Sequence, residues 1–557
     1  MIATPAMAQD ATNSPGAQSS SPDAEEADET QTPAPTPNTN IPADDEEIVV
    51  TGTIFKTTTS ATVSPITVVT AEAMEQRGNN TVQEAIQQLA SNNGPALTNS
   101  FTANGAFAAG ASAVSLRGLS TNSTLVLFDG QRAAYYPLAD DGSRNFVDLN
   151  TIPDDVVDRI EVLRDGASST YGADAIAGVV NIITKREFNG VTARVEAGIS
   201  EDGNAANQRV SLTAGTGDLD ENGMNAYISG FYFKSEGVYN RDLQSPFNTS
   251  DERSVCFEDH CGPNNITNVR DDNGVFSGGF LVPFDAYVQP RTGDTNAAIP
   301  GARFQLLNPG ADCQYGQGFT LTGAEAALPV NATAPFRVCS VDVVNRFQMA
   351  TPNIERFGAT ARVTARVGDS NEAYFQVNFQ QSTVDYTGFP PVLRGQANAG
   401  ILFRPFSTSG GPAANLAPGS AELRLPVYVC PTGVGSANGL ATGCTAATPG
   451  AVLNPNNPFA AQGQLARLLG RPFQTPTQNE TQSRVYRAAA GISGTLMEDW
   501  DYRVDVTAMH NDLKRTQNGY IYIANLLTAI AQGTINLRQP ELNTQAQLDF
   551  VMPDNLN

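Results

Sequence analysis

From residue 190 onward, apolar and polar residues alternate along several segments, and this period of two constrains the fold more than any other feature. Successive side chains of a β-strand point to opposite faces of a sheet, so each segment predicts a strand with one apolar and one polar face. About seven such strands are predicted. They lie near residues 190–200, 207–216, 224–234, 356–367, 373–385, 484–496 and 500–512.

The connections between these strands are very unequal in length. Residues 368–371 and 497–499 form tight turns, whereas 235–355 and 386–483 are connections of roughly a hundred residues each. A β-sandwich would show the same period, but its loops are seldom so long. Short turns and long loops are typical of a membrane β-barrel, with lipid outside and water or protein inside. We therefore expect an antiparallel transmembrane β-barrel with strands of about ten residues.

The composition excludes several classes of function. The chain has 557 residues, with 33 Lys+Arg against 57 Asp+Glu and a formal net charge of -24. Nucleic acid is not an expected partner, because a polyphosphate requires a basic surface. With only 2 histidines and no visible catalytic constellation, the chain is expected to be no enzyme and to hold no metal or cofactor. No apolar run is long enough for a transmembrane helix.

The residues between 53 and 188 show the mixed pattern of a small α+β domain. A helix is predicted over residues 71–77, and a capping box of Thr81 and Glu84 begins a second one. Asp129-Gly130 is a signal for a tight turn. Strands are predicted at 64–70, 114–119, 124–128, 159–164 and 178–185.

Three segments precede this domain. Ala6-Met7-Ala8 is typical of a secretory cleavage site, so residues 1–8 are interpreted as the remnant of a signal peptide, with an ordinary Ala-rich terminus as the alternative. Residues 9–46 are rich in Pro, Ala, Ser, Thr, Asp and Glu without Lys or Arg, which predicts a disordered acidic tether. The β-forming run at 47–52 predicts a short strand that either pairs internally or adds to the sheet edge of another protein.

The six cysteines fall into pairs that are close in sequence. All lie in Gly/Pro/Asn-rich parts of the two long connections, outside the patterned strands. Local pairs in loops indicate disulfide bonds formed in an oxidising compartment. A metal loop at 256–261 is disfavoured by its spacing. The expected bonds are Cys256–Cys261, Cys313–Cys339 and Cys430–Cys444.

Four motifs follow one another in order within the N-terminal domain: Val114–Leu119, Leu125–Gly130, Val147–Pro153 and Arg159–Ile183. Together with the runs 47–52 and 65–70, they resemble the plug domain of TonB-dependent outer-membrane receptors. The family usually has Gly-Pro where this chain has Asp165-Gly166, in a turn that Asp-Gly can also make.

The resemblance implies a plug domain at residues 53–188, followed by the N-terminal part of a β-barrel at 189–557. Plugged transporters have 22 strands, so about seven strands without a closing strand indicate a barrel that is incomplete at its C-terminal side. A position in the bacterial outer membrane, in contact with its lipid, is implied as well. The TonB box, which binds TonB of the inner-membrane energy-coupling complex, is assigned to Glu47, Ile48, Val49, Val50 and Thr51.

Two sets of side chains are further candidate sites. Arg117, Glu161 and Arg164 lie in strands that a barrel would bury, so they are expected to pair either within the plug or with carboxylates of the barrel wall. Aromatic and acidic residues of the plug loops are expected either to pack locally or to contact a ligand. They are Phe101, Phe107, Tyr135, Tyr136, Asp140 and Asp141.

The function expected from the resemblance is TonB-dependent, energy-coupled uptake of a scarce nutrient across the outer membrane. The alternative is a surface β-barrel receptor with a signalling or adhesion role and no transport. A signalling receptor would carry a further folded N-terminal domain, for which residues 9–46 are too polar. A siderophore, a carbohydrate and a peptide all remain open as the small-molecule ligand.

Overall fold

In the computed structural model, the chain from Ile48 onward forms one unit. Residues 1–47 lie outside the described part, so the signal remnant and the acidic tether stay predictions. The described residues are 48, 49, 51, 57, 58 and 65–554, except 80, 93–96, 99–107, 109, 140–142, 250–284, 294–296, 311–312, 314–316, 321–322, 324–326, 328–335, 369, 394–422, 431–435, 438–439, 442–443 and 497–499.

The N-terminal domain is built on a five-stranded sheet, here called the domain sheet. Strand Val157–Leu163 lies between Ile66–Thr70 and Gly178–Thr184, and the sheet continues through Thr124–Phe128 to Gln131–Arg132. Its pairs are antiparallel except that Thr124–Phe128 runs parallel to Gly178–Thr184. These strands confirm the α+β pattern predicted for the domain.

Two helices, Ala71–Gln76 and Val82–Gln87, pack against the domain sheet. The predicted capping box is present: Thr81 Oγ1 accepts from the Glu84 amide at 3.1 Å, and Glu84 Oε2 accepts from the Thr81 amide at 3.2 Å. None of the described helices is both long and apolar enough to cross a membrane. Short helical turns also occur at Leu116–Gly118, Thr121–Ser123, Leu149–Thr151, Asp154–Val156, Ser168–Tyr171 and Ala173–Ala175.

The strand predicted at 114–119 is wrong. Leu116–Gly118 is a 3-10 turn in which Arg117 has a φ of 53° and Gly118 a φ of 70°. A left-handed backbone cannot continue an extended strand. The Ser115 hydroxyl accepts from the Ser120 amide at 3.1 Å, which holds the chain in a turn. Of the apolar residues that suggested a strand, Val114 and Leu116 are buried in the domain core and Leu119 is 47% exposed.

After residue 189, seven antiparallel strands form a second sheet, here called the wall sheet. Neighbours in the sheet follow one another along the chain, which confirms the predicted strands and their order. The first three have 9 to 12 residues, close to the predicted length of about ten, whereas the last four have 15 to 19 and are longer than predicted. Among the described residues its first and last strands are edges, so a closed barrel stays a prediction. The strands are Gly190–Gly198, Asn207–Asp218, Met224–Ser235, Asn353–Val367, Asn371–Thr387, Gln478–Leu496 and Trp500–Asn518.

The wall sheet exposes its apolar face and buries its polar face, which is the reverse of a sheet in a water-soluble protein. On its outer face Val195 is 76% and Val506 70% exposed, whereas on its inner face Gln376 is 0% and Arg487 3% exposed. Apolar surface in contact with water costs about 25 cal/mol per Å² relative to an apolar environment. An exposed apolar face is therefore suited to lipid, and the buried polar face is suited to a polar interior.

The two long connections are not loops alone, which corrects that prediction. Ala286–Arg291 from the first pairs with Leu465–Gly470 from the second, inside a four-stranded sheet. Helices near the end of the chain pack on this sheet through a shared apolar core that includes Val288, Leu468 and Leu526. We call this unit the loop module. Its elements are Ala286–Arg291, Gln305–Leu306, Gln317–Thr320, Arg337–Ser340, Leu423–Leu425, Leu465–Gly470, Ile523–Gln532 and Gln545–Val551.

Two of the expected disulfides are present, Cys313–Cys339 and Cys430–Cys444, with Cα separations of 5.5 and 6.0 Å. Cys256 and Cys261 lie outside the described residues. Cys339 belongs to a strand, so its predicted loop position is wrong. Further short elements are Val238–Tyr239, Asn240–Asp242, Val343–Phe347, Met349–Thr351, Tyr428–Val429, Ser436–Ala437, Leu440–Ala441, Val452–Leu453, Ala460–Gln462 and Pro540–Leu542.

Candidate functional site

We call residues 47–51, the segment predicted to bind a partner, the coupling segment, and the structure describes Ile48, Val49 and Thr51 of it. Ile48–Val49 pairs antiparallel with Thr57–Thr58, which is the internal pairing weighed as an alternative. Among the described strands these two form a sheet by themselves, so Ile48–Val49 keeps one edge without a partner strand.

Thr51 fixes the end of the coupling segment to the domain sheet. Its side chain is fully buried, and its amide and hydroxyl both donate to Glu161 Oε2, at 2.9 and 2.5 Å. Asn181 Nδ2 donates to Thr51 Oγ1 at 2.9 Å. Glu161 and Asn181 lie opposite each other on neighbouring strands. One threonine is thus held by two strands of the domain sheet.

Glu161 is completely buried and has its charge partner inside the N-terminal domain. The Arg159 Nε lies 3.0 Å from Glu161 Oε1. A buried carboxylate is tolerated when it is paired and hydrogen-bonded, and here Thr51 supplies two of the hydrogen bonds. Removing Thr51 from this site would leave part of a buried charge without its donors.

Of the two kinds of pairing predicted for Arg117, Glu161 and Arg164, the structure has the pairing within the domain for Arg117 and Glu161, so pairing of these two with a barrel wall is corrected. Arg117 donates to the carbonyls of Ile176 and Ala177, at 2.7 and 3.1 Å, and Glu161 pairs as described, all within the domain. Arg164 is exposed.

Three ion pairs that join the domain to the wall sheet have the opposite sense. Arg209 of the wall sheet lies 3.3 Å from Asp154 and 3.0 Å from Asp155, and Arg487 lies 3.3 Å from Asp129. The sequence contains a signal for this, because arginines occupy polar positions of the alternating strands. In these three pairs the wall supplies the cation and the domain the carboxylate, whereas Arg186 and Glu372 form a pair of the reverse sense.

Asp129 is the most connected of these carboxylates. It lies in the predicted tight turn with a φ of 53°, followed by Gly130 at 77°, the left-handed pair that a two-residue hairpin requires. Its Oδ1 accepts from the Thr184 amide and hydroxyl, both at 2.8 Å. Its carbonyl accepts from Arg503 at 3.2 Å. A residue predicted only to form a turn thus joins two strands of the wall sheet to the domain.

A polar cavity of about 610 Å³ lies at this seam, and we call it the seam cavity. Its lining includes Asp129, Arg159 and Asn181 from the domain and Arg362 and Asp505 from the wall sheet. Since Arg159 and Asn181 also belong to the site that holds Thr51, the coupling segment is anchored at the border of a polar space between the two parts.

Asp148 is buried at the seam, with Oδ1 accepting from the Ser112 amide at 3.0 Å and from the Asn150 amide and side chain at 3.1 and 2.8 Å. Burial raises the pKa of Asp148 above its ordinary value, against the opposing effect of these hydrogen bonds and of Arg356. Burial likewise raises the pKa of Asp154, against the opposing effect of Arg209.

The raised pKa of Asp148 predicts a pH-dependent stability. A carboxyl whose folded pKa is raised stabilises the fold below its unfolded pKa and loses that contribution as pH rises through the folded pKa. Asp148→Asn should therefore become more stable relative to the parent chain between pH 4 and pH 7, with a slope of at most about 1.4 kcal/mol per pH unit. Unfolding at several pH values measures this, with exposed Asp165→Asn as control. Equal pH profiles for all three proteins would contradict the prediction.

The predicted ligand contacts have different outcomes. Tyr136 is 3% exposed and stacks on Phe146 with ring centroids 5.1 Å apart, so it packs locally, the first of its two predicted roles, and its assignment as a ligand contact is corrected. Tyr135 is 43% exposed, beside an Arg132–Asp174 ion pair of 2.5 Å, and stays a candidate. Phe101, Phe107, Asp140 and Asp141 lie outside the described residues.

Comparison with known proteins finds matches to part of the chain. Residues 58–179 match the family model described as TonB-dependent Receptor Plug Domain. The vitamin B12 transporter BtuB of Vibrio cholerae serotype O1 is 33% identical over 183 residues, which cover 33% of this chain and 27% of that protein. The match thus spans about a quarter of the length of the curated relatives.

Solved structures also match the chain at low identity. The siderophore receptor PirA from Pseudomonas aeruginosa is 14% identical, with 81% of this chain and 50% of that chain covered and a TM-score of 0.29. The ferripyoverdine receptor of the outer membrane of Pseudomonas aeruginosa is 10% identical, with 85% and 46% covered and a TM-score of 0.35.

Proposed function

We propose, from the premise that this chain is an outer-membrane protein of the TonB-dependent receptor family, that it takes up a scarce small-molecule nutrient by energy-coupled transport. Proteins of this family are transporters and receptors, not enzymes. The relatives include a vitamin B12 transporter, and a polar cavity of about 610 Å³ lies between the domain and the wall of this chain.

The anchored coupling segment is the observation that carries this proposal. A partner that adds a strand to Ile48–Val49 would contact its open edge through main-chain hydrogen bonds. Thr51 connects that strand directly to Glu161 and to Asn181, and Asn181 lines the seam cavity. TonB pulling on the strand would therefore act on a residue at the border between the domain and the wall sheet.

The contact of Thr51 also implies a restraint on TonB binding. While Thr51 is buried against Glu161, the strand is held close to the domain, and a partner must compete with those hydrogen bonds. A hydrogen bond to a charged group contributes about 1.5–3 kcal/mol. The release of Thr51 is thus a step that ligand binding at the outer side can favour.

Replacement of Thr51 by Val tests this restraint, since it keeps the shape and removes the hydroxyl. We expect the isolated periplasmic domain of TonB to bind the full Thr51→Val chain about tenfold more tightly, corresponding to about 1.4 kcal/mol of lost anchoring. Thr51→Ser keeps the hydroxyl and is the matched control. Equal affinities for the two variants would show that Thr51 does not restrain the coupling segment.

An uptake experiment in cells distinguishes transport from the alternative function of this chain, a surface receptor that binds a ligand without transporting it. A protonophore collapses the energy source of TonB, so uptake of the chain's ligand should stop while surface binding remains. Vitamin B12 is the first ligand to test, because the relatives transport it. Binding without protonophore-sensitive accumulation would favour a signalling or adhesion receptor.

A further inference from the structure

A second cavity lies in the loop module, and we call it the loop cavity. It has a volume of about 430 Å³, within the range of roughly 300–1,000 Å³ typical of small-molecule pockets. Its residues come from a segment around the strand Gln305–Leu306 and from the start of strand Arg337–Ser340. The lining that matters here is Arg303, Phe304, Gln305, Leu306, Phe336 and Arg337.

The charge of the loop cavity is unusual for this chain. Arg303 and Arg337 are the charged residues of its described lining, in a protein with a formal net charge of -24. The seam cavity, by contrast, has acidic and basic residues together, among them Asp129, Glu372 and Lys185. A cavity lined by two guanidinium groups attracts an anion, and each guanidinium has five N–H donors suited to a carboxylate.

Aromatic rings accompany these cations. The guanidinium carbon of Arg303 lies 4.5 Å from the ring centroid of Phe336, and that of Arg467 lies 5.6 Å from the centroid of Phe304. Phe336 is 56% exposed, so much of its ring is accessible. An exposed ring beside a guanidinium plane can stack with a planar ring of a ligand while the guanidinium binds its charge.

The wall of the loop cavity is held in place by buried contacts. Leu306 belongs to a buried cluster with Tyr287 and Cys339, and the Tyr287 hydroxyl accepts from the Cys339 amide at 2.9 Å. The disulfide Cys313–Cys339 connects this cluster covalently to Cys313. A site whose supporting residues are fixed before the ligand arrives loses less entropy on binding.

We propose that the loop cavity binds a small molecule that has a planar ring bearing a carboxylate or a similar anionic group. Arg303 and Arg337 bind the anionic group, and Phe336 stacks on the ring. The statement that the transported nutrient belongs to this ligand class rests on the proposed function. Binding of such a molecule to the loop cavity does not itself require transport.

Phthalate, which is planar and doubly charged, is the probe for this site. Equilibrium dialysis with the full chain in detergent micelles should show saturable binding of phthalate. Cyclohexane-1,2-dicarboxylate has the same charge without the planar ring, and phthalamide has the ring without the charge. Both should bind at least about tenfold more weakly, because each lacks one of the two contacts.

Variants locate the binding. Arg303→Gln and Phe336→Leu should each weaken phthalate binding about tenfold, whereas Arg241→Gln should not. Arg241 is a matched control because it stacks on Tyr239 at 3.9 Å outside the loop cavity. Mass mapping of the Cys313–Cys339 bond verifies folding.

Absence of saturable binding, equal binding of the saturated dianion, or unchanged affinity in both variants would overturn the proposal. Phthalate binding without energised uptake of phthalate would leave the site standing and contradict only its role for the transported nutrient, whereas the uptake test with other ligands decides the transport function itself.

Discussion

Replacing Val49 by Pro is expected to weaken binding of TonB by at least about a hundredfold and to abolish energised uptake. Proline has no amide hydrogen and cannot complete a ladder with a neighbouring strand. Val49 belongs to the two-residue strand whose free edge is the proposed docking position. The measurement is the affinity of the isolated periplasmic domain of TonB for the full chain in micelles.

Val49→Ala is the matched control for this substitution, because it shortens the side chain and keeps the amide. Strand addition uses main-chain hydrogen bonds, so the Ala variant should bind within a few-fold of the parent chain. If the Pro and Ala variants bound equally well, recognition would not depend on a main-chain ladder at this position. Phthalate binding to both variants should equal that of the parent chain, since the loop cavity is built from other residues.

Removing Arg487 is expected to destabilise the packing of the N-terminal domain against the wall sheet by about 3–5 kcal/mol, because it leaves a buried carboxylate without its cation. The side chains of Arg487 and Asp129 are 1% and 7% exposed and 3.3 Å apart. Arg487 also lies 4.0 Å from the centroid of the Phe128 ring, so Arg487→Met preserves part of the packing. Hydrogen exchange of the domain sheet measures the effect.

A double-mutant cycle separates the ion pair from the loss of packing. Arg487→Met combined with Asp129→Asn should be less destabilising than the sum of the two single changes, since the double variant leaves no buried charge. Arg484→Met is the control on the same strand, where Arg484 donates to Gln381 within the wall sheet. Additive effects of the two single changes would show that the pair does not hold the domain.

The strands of the wall sheet could be predicted because the alternation of apolar and polar residues that identifies each strand lies within that strand. Along Asn353–Val367, each residue's neighbours two positions away show which face it occupies, and the structure places Arg356, Thr360 and Arg362 on the buried face as the alternation requires. The loop module could not be predicted in this way. Its central pair, Ala286–Arg291 with Leu465–Gly470, joins two different connections, and no periodicity within either segment identifies the other.

The candidate site was only partly predictable for the same reason. The coupling segment is visible as a short β-forming run, but its anchor, Glu161, is 110 residues away from Thr51. The sense of three of the charge pairs is carried by arginines of the wall strands. Arg209 and Arg487 stand at inward-facing positions of the alternating strands, and their carboxylate partners lie in the domain.

The anchoring of Thr51 also determines where a mechanical load would enter the protein. Glu161 pairs with Val68 on one side and with Asn181 on the other, so its strand is an interior one. Tension applied ahead of Thr51 therefore reaches two adjacent interior strands at once, through Glu161 and Asn181, instead of peeling an edge strand away. The few hydrogen bonds of Thr51 are weaker than the ladder of hydrogen bonds in the sheet behind them. Under tension they break first, and they set the smallest force to which the domain responds.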